Sequence, residues 1–103
     1  MTIEDVVILC KKRSMRWTSH ILERILYRGI SIEDIENAVI NGEIIEQYPN
    51  DYPYPSCLLM GYTKTGKVLH VVCGSDGIEL WLITAYYPNS AQWTDDFRQR
   101  SKI

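Results

Sequence analysis

The run from Lys67 to Pro88 most constrains what this chain can fold into. Two stretches rich in β-branched, aromatic and aliphatic residues, Val68–Cys73 and Ile78–Tyr87, flank Gly74-Ser75-Asp76-Gly77. Asp-Gly between such stretches is a strong local signal for a β-hairpin. The first stretch is apolar at nearly every position, as in a strand buried on both faces. His70 is set into it, and Thr84 and Tyr86 are set into the second. Polar side chains at the centre of a small core need hydrogen-bond partners or a function. A two-residue Asp76-Gly77 turn places His70 opposite Ile83, away from Thr84 and Tyr86. A longer loop or a β-bulge between Cys73 and Leu80 that adds one residue brings all three to one face. A common site needs that extra residue, so it is expected, with a His20–Arg24 stripe facing the same way.

The chain before the hairpin reads as helices. Thr2 with Glu4 and Asp5 is a helix start, and Ile3, Val6, Val7, Leu9 and Cys10 form its apolar stripe. Ser14–Thr18 reads as a joint. A second helix is predicted from about Ser19 to Arg28, stopped by Gly29. It carries Ile21, Leu22, Ile25 and Leu26 on one side and His20, Arg24 and Arg28 on the other, flanked by Glu23 and Tyr27. Ser31-Ile32-Glu33-Asp34 starts a third helix, ended by Asn41-Gly42. Glu43–Tyr48 alternates as an edge strand, and three prolines between Pro49 and Pro55 make a stiff aromatic loop. Ser56–Thr63 is a second strand, with Gly61 permitting close approach by another backbone. After Pro88 a short helix is expected near Ala91, anchored by Trp93 and Phe97. The expected fold is α+β: N-terminal helices on one face of a four-stranded antiparallel sheet, with a short C-terminal helix.

At 103 residues the chain is expected to be a single domain, 1–103. Cys10, Cys57 and Cys73 are odd in number and lack Cys-x-x-Cys spacing, which argues against a disulfide framework or a self-contained zinc site. They read as small core residues in a reducing, cytoplasmic setting, and no membrane span or signal peptide is apparent. The net charge of −2 is unevenly spread. Residues 1–30 hold six basic and three acidic side chains, residues 31–56 six acidic and none basic, and the rest five basic and four acidic.

The pattern His20-x3-Arg24-x3-Arg28-Gly-Ile-Ser-x-Glu-Asp-Ile is followed by Gly42-x-Ile-Ile-x-x-Tyr48-Pro-x-Asp-x-Pro53. Then come Leu58-Leu-x-Gly61, Leu69-His70-Val-Val72, Thr84-Ala-Tyr86-x-Pro88 and Trp93-x3-Phe97-Arg. Together, over roughly residues 18 to 100, these resemble the bacterial domain-of-unknown-function 4258 family, which looks like a branch of the RelE/ParE toxin-like superfamily. The resemblance implies a RelE-like fold and a toxin of a type II toxin–antitoxin pair that cleaves mRNA. It also implies a small antitoxin partner with a zinc finger and a helix-turn-helix. RelE-like ribonucleases are usually strongly basic, whereas this chain has a sequence pI near 5.6.

RNA cleavage without metal needs a base for the 2′-hydroxyl, an acid for the leaving 5′-oxygen and a cation for the phosphorane charge. The candidates are His20 or His70 as base, Arg24 as phosphate clamp, Thr84 as phosphate or substrate contact, and Tyr86 as acid or stacking platform. His20 sits in a first helical turn, where the dipole favours the neutral imidazole that a base requires. Arg28, Arg98 and Arg100 are candidate RNA contacts. Each has a plainer reading: the stripe as a solvent face, His70 as a hydrogen-bonded core residue, Tyr86 as packing, and Arg98 as a partner of Asp95. The competing class is a non-catalytic protein- or nucleic-acid-binding module of the same fold, using Tyr48, Tyr52, Tyr54, Tyr62, Tyr86 and Tyr87 as a recognition surface. Two histidines fifty residues apart form no recognisable metal-ligand set, and no cofactor is expected.

Overall fold

The computed structural model describes residues 1–101. Three helices, α1 (Ile3–Lys11), α2 (Ser19–Arg28) and α3 (Ile32–Ile40), precede most of the sheet. The strands are β1 (Met15–Trp17), β2 (Glu43–Tyr48), β3 (Ser56–Tyr62), β4 (Val68–Ser75) and β5 (Leu80–Tyr86), in the order β1-β5-β4-β3-β2. The architecture is α+β, as expected. None of the described helices is long and apolar enough to cross a membrane.

Each helix begins where a side-chain oxygen accepts from an orphan backbone N–H: Thr2 from Asp5, Thr18 from Ile21, and Ser31 from Asp34. Ser31 and Asp34 bond reciprocally in a capping box. Val6, Cys10, Ile21, Ile25, Ile35, Ala38 and Val39 pack from the helices onto Cys57, Leu59, Leu69, Val71, Cys73, Leu80, Leu82 and Ala85 of the sheet. Gly61 lets α3 approach closely, because a Cβ there would lie 2.2 Å from the Ala38 carbonyl oxygen. In α2 only Ile21 and Ile25 are buried; Leu22 is partly exposed and Leu26 is 83% exposed. The expected four-residue aliphatic face is therefore half as wide.

Two expectations are corrected. The sheet has five strands and is mixed, because Ser14–Thr18 contains β1, which runs parallel to β5 through Met15↔Leu80 and Trp17↔Leu82. Three residues are too few to show a periodicity, and their pairing partner lies more than sixty positions away. No C-terminal helix forms among the described residues. After β5 the chain makes turns and an isolated bridge between Trp93 and Arg100. Thr94 and Asp96 hydrogen-bond each other and nearby backbone, and Phe97 takes a left-handed φ of 58°. Such local side-chain bonding competes with helix.

The hairpin carries the parity change. Its turn spans Asp76–Glu79, longer than two residues, with Asp76 Oδ1 accepting from the Ile78 and Glu79 amides and Gly77 at φ 89°. This turn alone leaves Ser75 opposite Leu80 and Cys73 opposite Leu82. The register then shifts so that Val72 faces Thr84 and His70 faces Tyr86. The extra residue is Ile83, in β5, rather than a position between Cys73 and Leu80. It puts His70, Thr84 and Tyr86 on one face, turned away from the helices, together with Leu58 and Met60 across the ladder.

Candidate functional site

The second sheet face is covered at one end and open at the other. At the covered end the segment after Pro88 folds back as a strap. Its Trp93 is 3% exposed and stands edge-on to the His70 ring, with centroids 4.5 Å apart. His70 is fully buried. Its Nε2 lies 2.8 Å from the Phe97 carbonyl oxygen, and its Nδ1 lies 3.3 Å from the Tyr86 hydroxyl. A carbonyl only accepts, so Nε2 carries the proton and Nδ1 accepts from Tyr86. Both ring nitrogens are thus satisfied by a neutral imidazole. Burial pushes the His70 pKa down, opposed by the Phe97 bond and by Glu46. Burial also pushes the Tyr86 hydroxyl up.

Two arginines hold the strap. Arg98 pairs with Glu43, and at the limit of ion-pair distance with Asp96, rather than with Asp95. Arg100 bonds both Glu46 carboxylate oxygens, at 2.9 and 3.1 Å, and lies 4.8 Å over the Trp93 ring. The Arg100 bond holds the Glu46 carboxyl below its ordinary range and the guanidinium above its own. Tyr48 donates to the same carboxylate, and burial with that bond pushes its hydroxyl up to about 12.

The other candidates meet around α2. His20, Glu23, Arg24, Tyr27 and Arg28 line one surface cleft of about 330 Å³. The i, i+4, i+8 spacing aligns His20, Arg24 and Arg28 as expected. Arg28 reaches back to the sheet, donating to the Ala85 carbonyl at 2.7 Å and to Thr84 Oγ1 at 3.4 Å. Strand β1 pairs only with Leu80–Leu82, so beyond it the β5 edge is free to accept from a side chain. Thr84 is thereby joined to the α2 group.

At its open end the second face forms a larger cleft, about 460 Å³, lined by Thr18, His20, Asp51, Tyr52, Pro53, Tyr54, Gly74, Trp81 and Ile83. Gly74 sits tightly at its floor: a Cβ there would stand 3.1 Å from the Pro55 carbonyl oxygen and in ordinary contact with Ile83. The aromatic-proline loop is one wall, and the bulge residue Ile83 lines it too. His20 belongs to both clefts.

The expected constellation therefore divides. His20, Arg24, Arg28 and Thr84 form an accessible half. His70, sealed, and Tyr86, half-buried, form the other half, and Arg98 and Arg100 are engaged by carboxylates over it. Three lining residues were not singled out from sequence for chemistry: Asp51, Trp81 and Tyr27. The i+7 spacing of Tyr27 from His20 was the available signal for one; nothing local marks the other two. Among the described residues no three His, Cys, Asp or Glu side chains come together as a metal site.

The family model described as Domain of unknown function (DUF4258) matches residues 17–87, most of the chain, and the chain belongs to that family. No curated protein and no solved structure matches it.

Proposed function

We propose that this member of the DUF4258 family is the toxin-like half of a type II toxin–antitoxin pair and cleaves RNA without a metal. On this reading it is a RelE/ParE-like protein. The observation that carries the proposal is the position of His20, which lines both a cleft with two arginines and a cleft walled by aromatic rings. A proton acceptor beside a phosphate clamp is what RNA cleavage needs, and an aromatic wall next to it can hold a base and position the substrate.

In the proposed reaction the His20 imidazole takes the proton of the 2′-hydroxyl as that oxygen attacks phosphorus. The bond from phosphorus to the 5′-oxygen breaks, leaving a 2′,3′-cyclic phosphate and a 5′-hydroxyl. Arg24 clamps the non-bridging oxygens with parallel donors. Tyr27, 94% exposed in the same cleft, gives the leaving oxygen its proton and is reprotonated from the imidazolium through water. Arg28 and Thr84 extend the phosphate contact. Leu22 and Leu26, exposed on the side of α2 away from this stripe, offer an apolar ridge for a small antitoxin of the zinc-finger and helix-turn-helix kind.

A second reading, a nucleic-acid-binding module without catalysis, is favoured by the sealing of His70 beneath Trp93, with Tyr86 bonded to it. The two readings separate in one experiment. Purified protein is incubated with RNA in chelator and the products are tested for a 2′,3′-cyclic phosphate. Cleavage that His20→Ala and Arg24→Ala each abolish, with unchanged melting curves, supports the ribonuclease. Binding without cleavage supports the module, and cleavage untouched by both substitutions removes the α2 stripe from the site.

A further inference from the structure

One row of side chains crosses the helix-covered face of the sheet. It runs inward from the β2 edge as Gln47, Cys57, Cys73 and Leu82, each directly opposite the next. Directly opposed residues point to the same side of a sheet. Two thiols thus stand side by side in the core, fully buried, with Sγ atoms 3.7 Å apart. The proposed RNA chemistry uses neither.

The ladder decides what bond the pair can make. At its two ends the Thr63 N–H donates to the Lys67 carbonyl and the Ser75 N–H to the Pro55 carbonyl. In an unbroken β3–β4 register these bonds make every odd-numbered β3 position a hydrogen-bonded pair, Cys57↔Cys73 included. The Cα atoms of such a pair are about 5.5 Å apart, within the range that a disulfide bridges. Its Cβ atoms stand wider apart than in the alternate pairs. A bond of roughly 2.05 Å therefore draws the two strands together. A disulfide made under strain is readily reduced again.

The two thiols are unequal, and one end of the row is loosely covered. The Cys73 bond and the Met1 amino group hold the Cys57 thiol below its ordinary range against the effect of burial. The same bond, with burial, pushes Cys73 up. The thiolate is the nucleophile of such a pair. Over the β2 edge Met1 packs on the core, clipped by two exposed bonds. Its amino group donates to Gln47 Oε1 at 3.1 Å, and its carbonyl accepts from Gln47 Nε2 at 2.5 Å. Local opening of such a clip admits a small peroxide but not a bulky thiol reagent.

We propose that Cys57 and Cys73 are a hydroperoxide-sensitive pair that closes to a reversible cross-strand disulfide and thereby tightens the floor of the aromatic cleft. The Cys57 thiolate attacks one peroxide oxygen and the O–O bond breaks. The hydroxide released takes up the former thiol proton as water, leaving Cys57 as a sulfenic acid. The Cys73 sulfur then attacks the Cys57 sulfur, the S–O bond breaks, and the second water carries off the Cys73 proton. Both thiols are oxidised to one disulfide, and the peroxide is reduced to water. The adjacent residues face the cleft side: Gly74 lines the cleft, and Ser56 bonds Asp51. A Cβ on Gly74 would lie 3.6 Å from the Ser56 Cβ, so strands drawn together at the thiols press on both.

The test is independent of RNA. Wild-type protein is treated with graded hydrogen peroxide, quenched in acid, denatured, alkylated and mapped by mass spectrometry. The expected product links Cys57 to Cys73 within one chain and leaves Cys10 alkylatable, and reduced glutathione restores both thiols. Cys73→Ser should stop at a Cys57 sulfenic acid that dimedone traps, and Cys57→Ser should leave Cys73 a thiol. Gln47→Ala, at an exposed position, removes the Met1 clip and should speed oxidation about tenfold. That variant keeps the proposal testable if a serine variant folds poorly. On oxidation the Ser56 and Gly74 amide signals should shift in NMR spectra and return on reduction. Thiols that all survive peroxide, a bridge through Cys10 or between chains, or a rate unchanged in Gln47→Ala overturn the proposal. A disulfide that leaves the Ser56 and Gly74 signals in place overturns its link to the cleft.

Discussion

Replacing His70 by alanine tests whether this histidine is a keystone of the strap. The ring is fully buried and packed edge-on against Trp93 and Tyr86. Deleting a side chain of this size from a core costs about 2–5 kcal/mol. The strap lies at the surface and can move to fill part of the space, so the low end, about 2 kcal/mol, applies. The Phe97 carbonyl also loses its donor, at about 1 kcal/mol, while the half-buried Tyr86 hydroxyl can turn to water. The sum is about 3 kcal/mol, which for a domain near 100 residues lowers the melting temperature by at least about 12 °C. His70→Gln retains an N–H close to the Nε2 position and should lose about 1 kcal/mol. Differential scanning calorimetry measures the melts, and limited proteolysis reports release of residues 88–101. The reasoning also fixes a pH dependence. The folded pKa of His70 is depressed, so its contribution is complete above the unfolded value near 6.5 and is lost as pH falls below it. Wild-type stability should fall from pH 6.5 toward 5 with a slope of at most about 1.4 kcal/mol per pH unit. In His70→Gln that slope should flatten. A His70→Ala melt within about 2 °C of wild type would refute the keystone role, as would a Gln variant with the wild-type pH slope.

Three further outcomes are expected. Arg100→Ala should loosen the strap without unfolding the domain, because the guanidinium bonds Glu46 and covers Trp93; a red shift in tryptophan emission with a nearly unchanged melt is the signature. The three cysteines are free and buried, with Cys57 and Cys73 facing each other at an Sγ–Sγ distance of 3.7 Å. A thiol reagent should therefore label none of them in the folded protein on the timescale that labels all three in denaturant. Gly61→Ala forces a Cβ against the backbone of Ala38, where no rotamer relieves the clash, so a loss of about 3 kcal/mol or insoluble protein is expected in urea titration and expression tests.

Much of the fold was legible in short windows. Thr2, Thr18 and Ser31 cap the helices as their residue types suggest, and Gly29 and the Asn41-Gly42 pair end them. The runs around Lys67–Pro88 form the hairpin, and Gly61 admits the close contact for which only glycine has room. These features depend on a residue and its near neighbours, so the amino-acid sequence by itself determined them. The alignment of His20, Arg24 and Arg28 is of the same kind, a consequence of helical periodicity.

The site depended on contacts between distant segments. A bulge at Ile83, rather than in the turn, turned His70 toward Tyr86, and one residue of register sufficed to choose the face. The strap residues Thr94–Phe97 close turns that bring a carbonyl to the buried imidazole, a contact between segments 27 positions apart. Trp81, Asp51 and His20 line one cleft because a strand, a loop and a helix start converge at the open end of the sheet. Local propensity is worth tenths of a kcal/mol per residue, whereas burying a ring or satisfying a buried polar atom is worth one to several. Where the two disagree, the tertiary term sets the outcome, and only the assembled sheet could seal His70 and leave His20 in solvent.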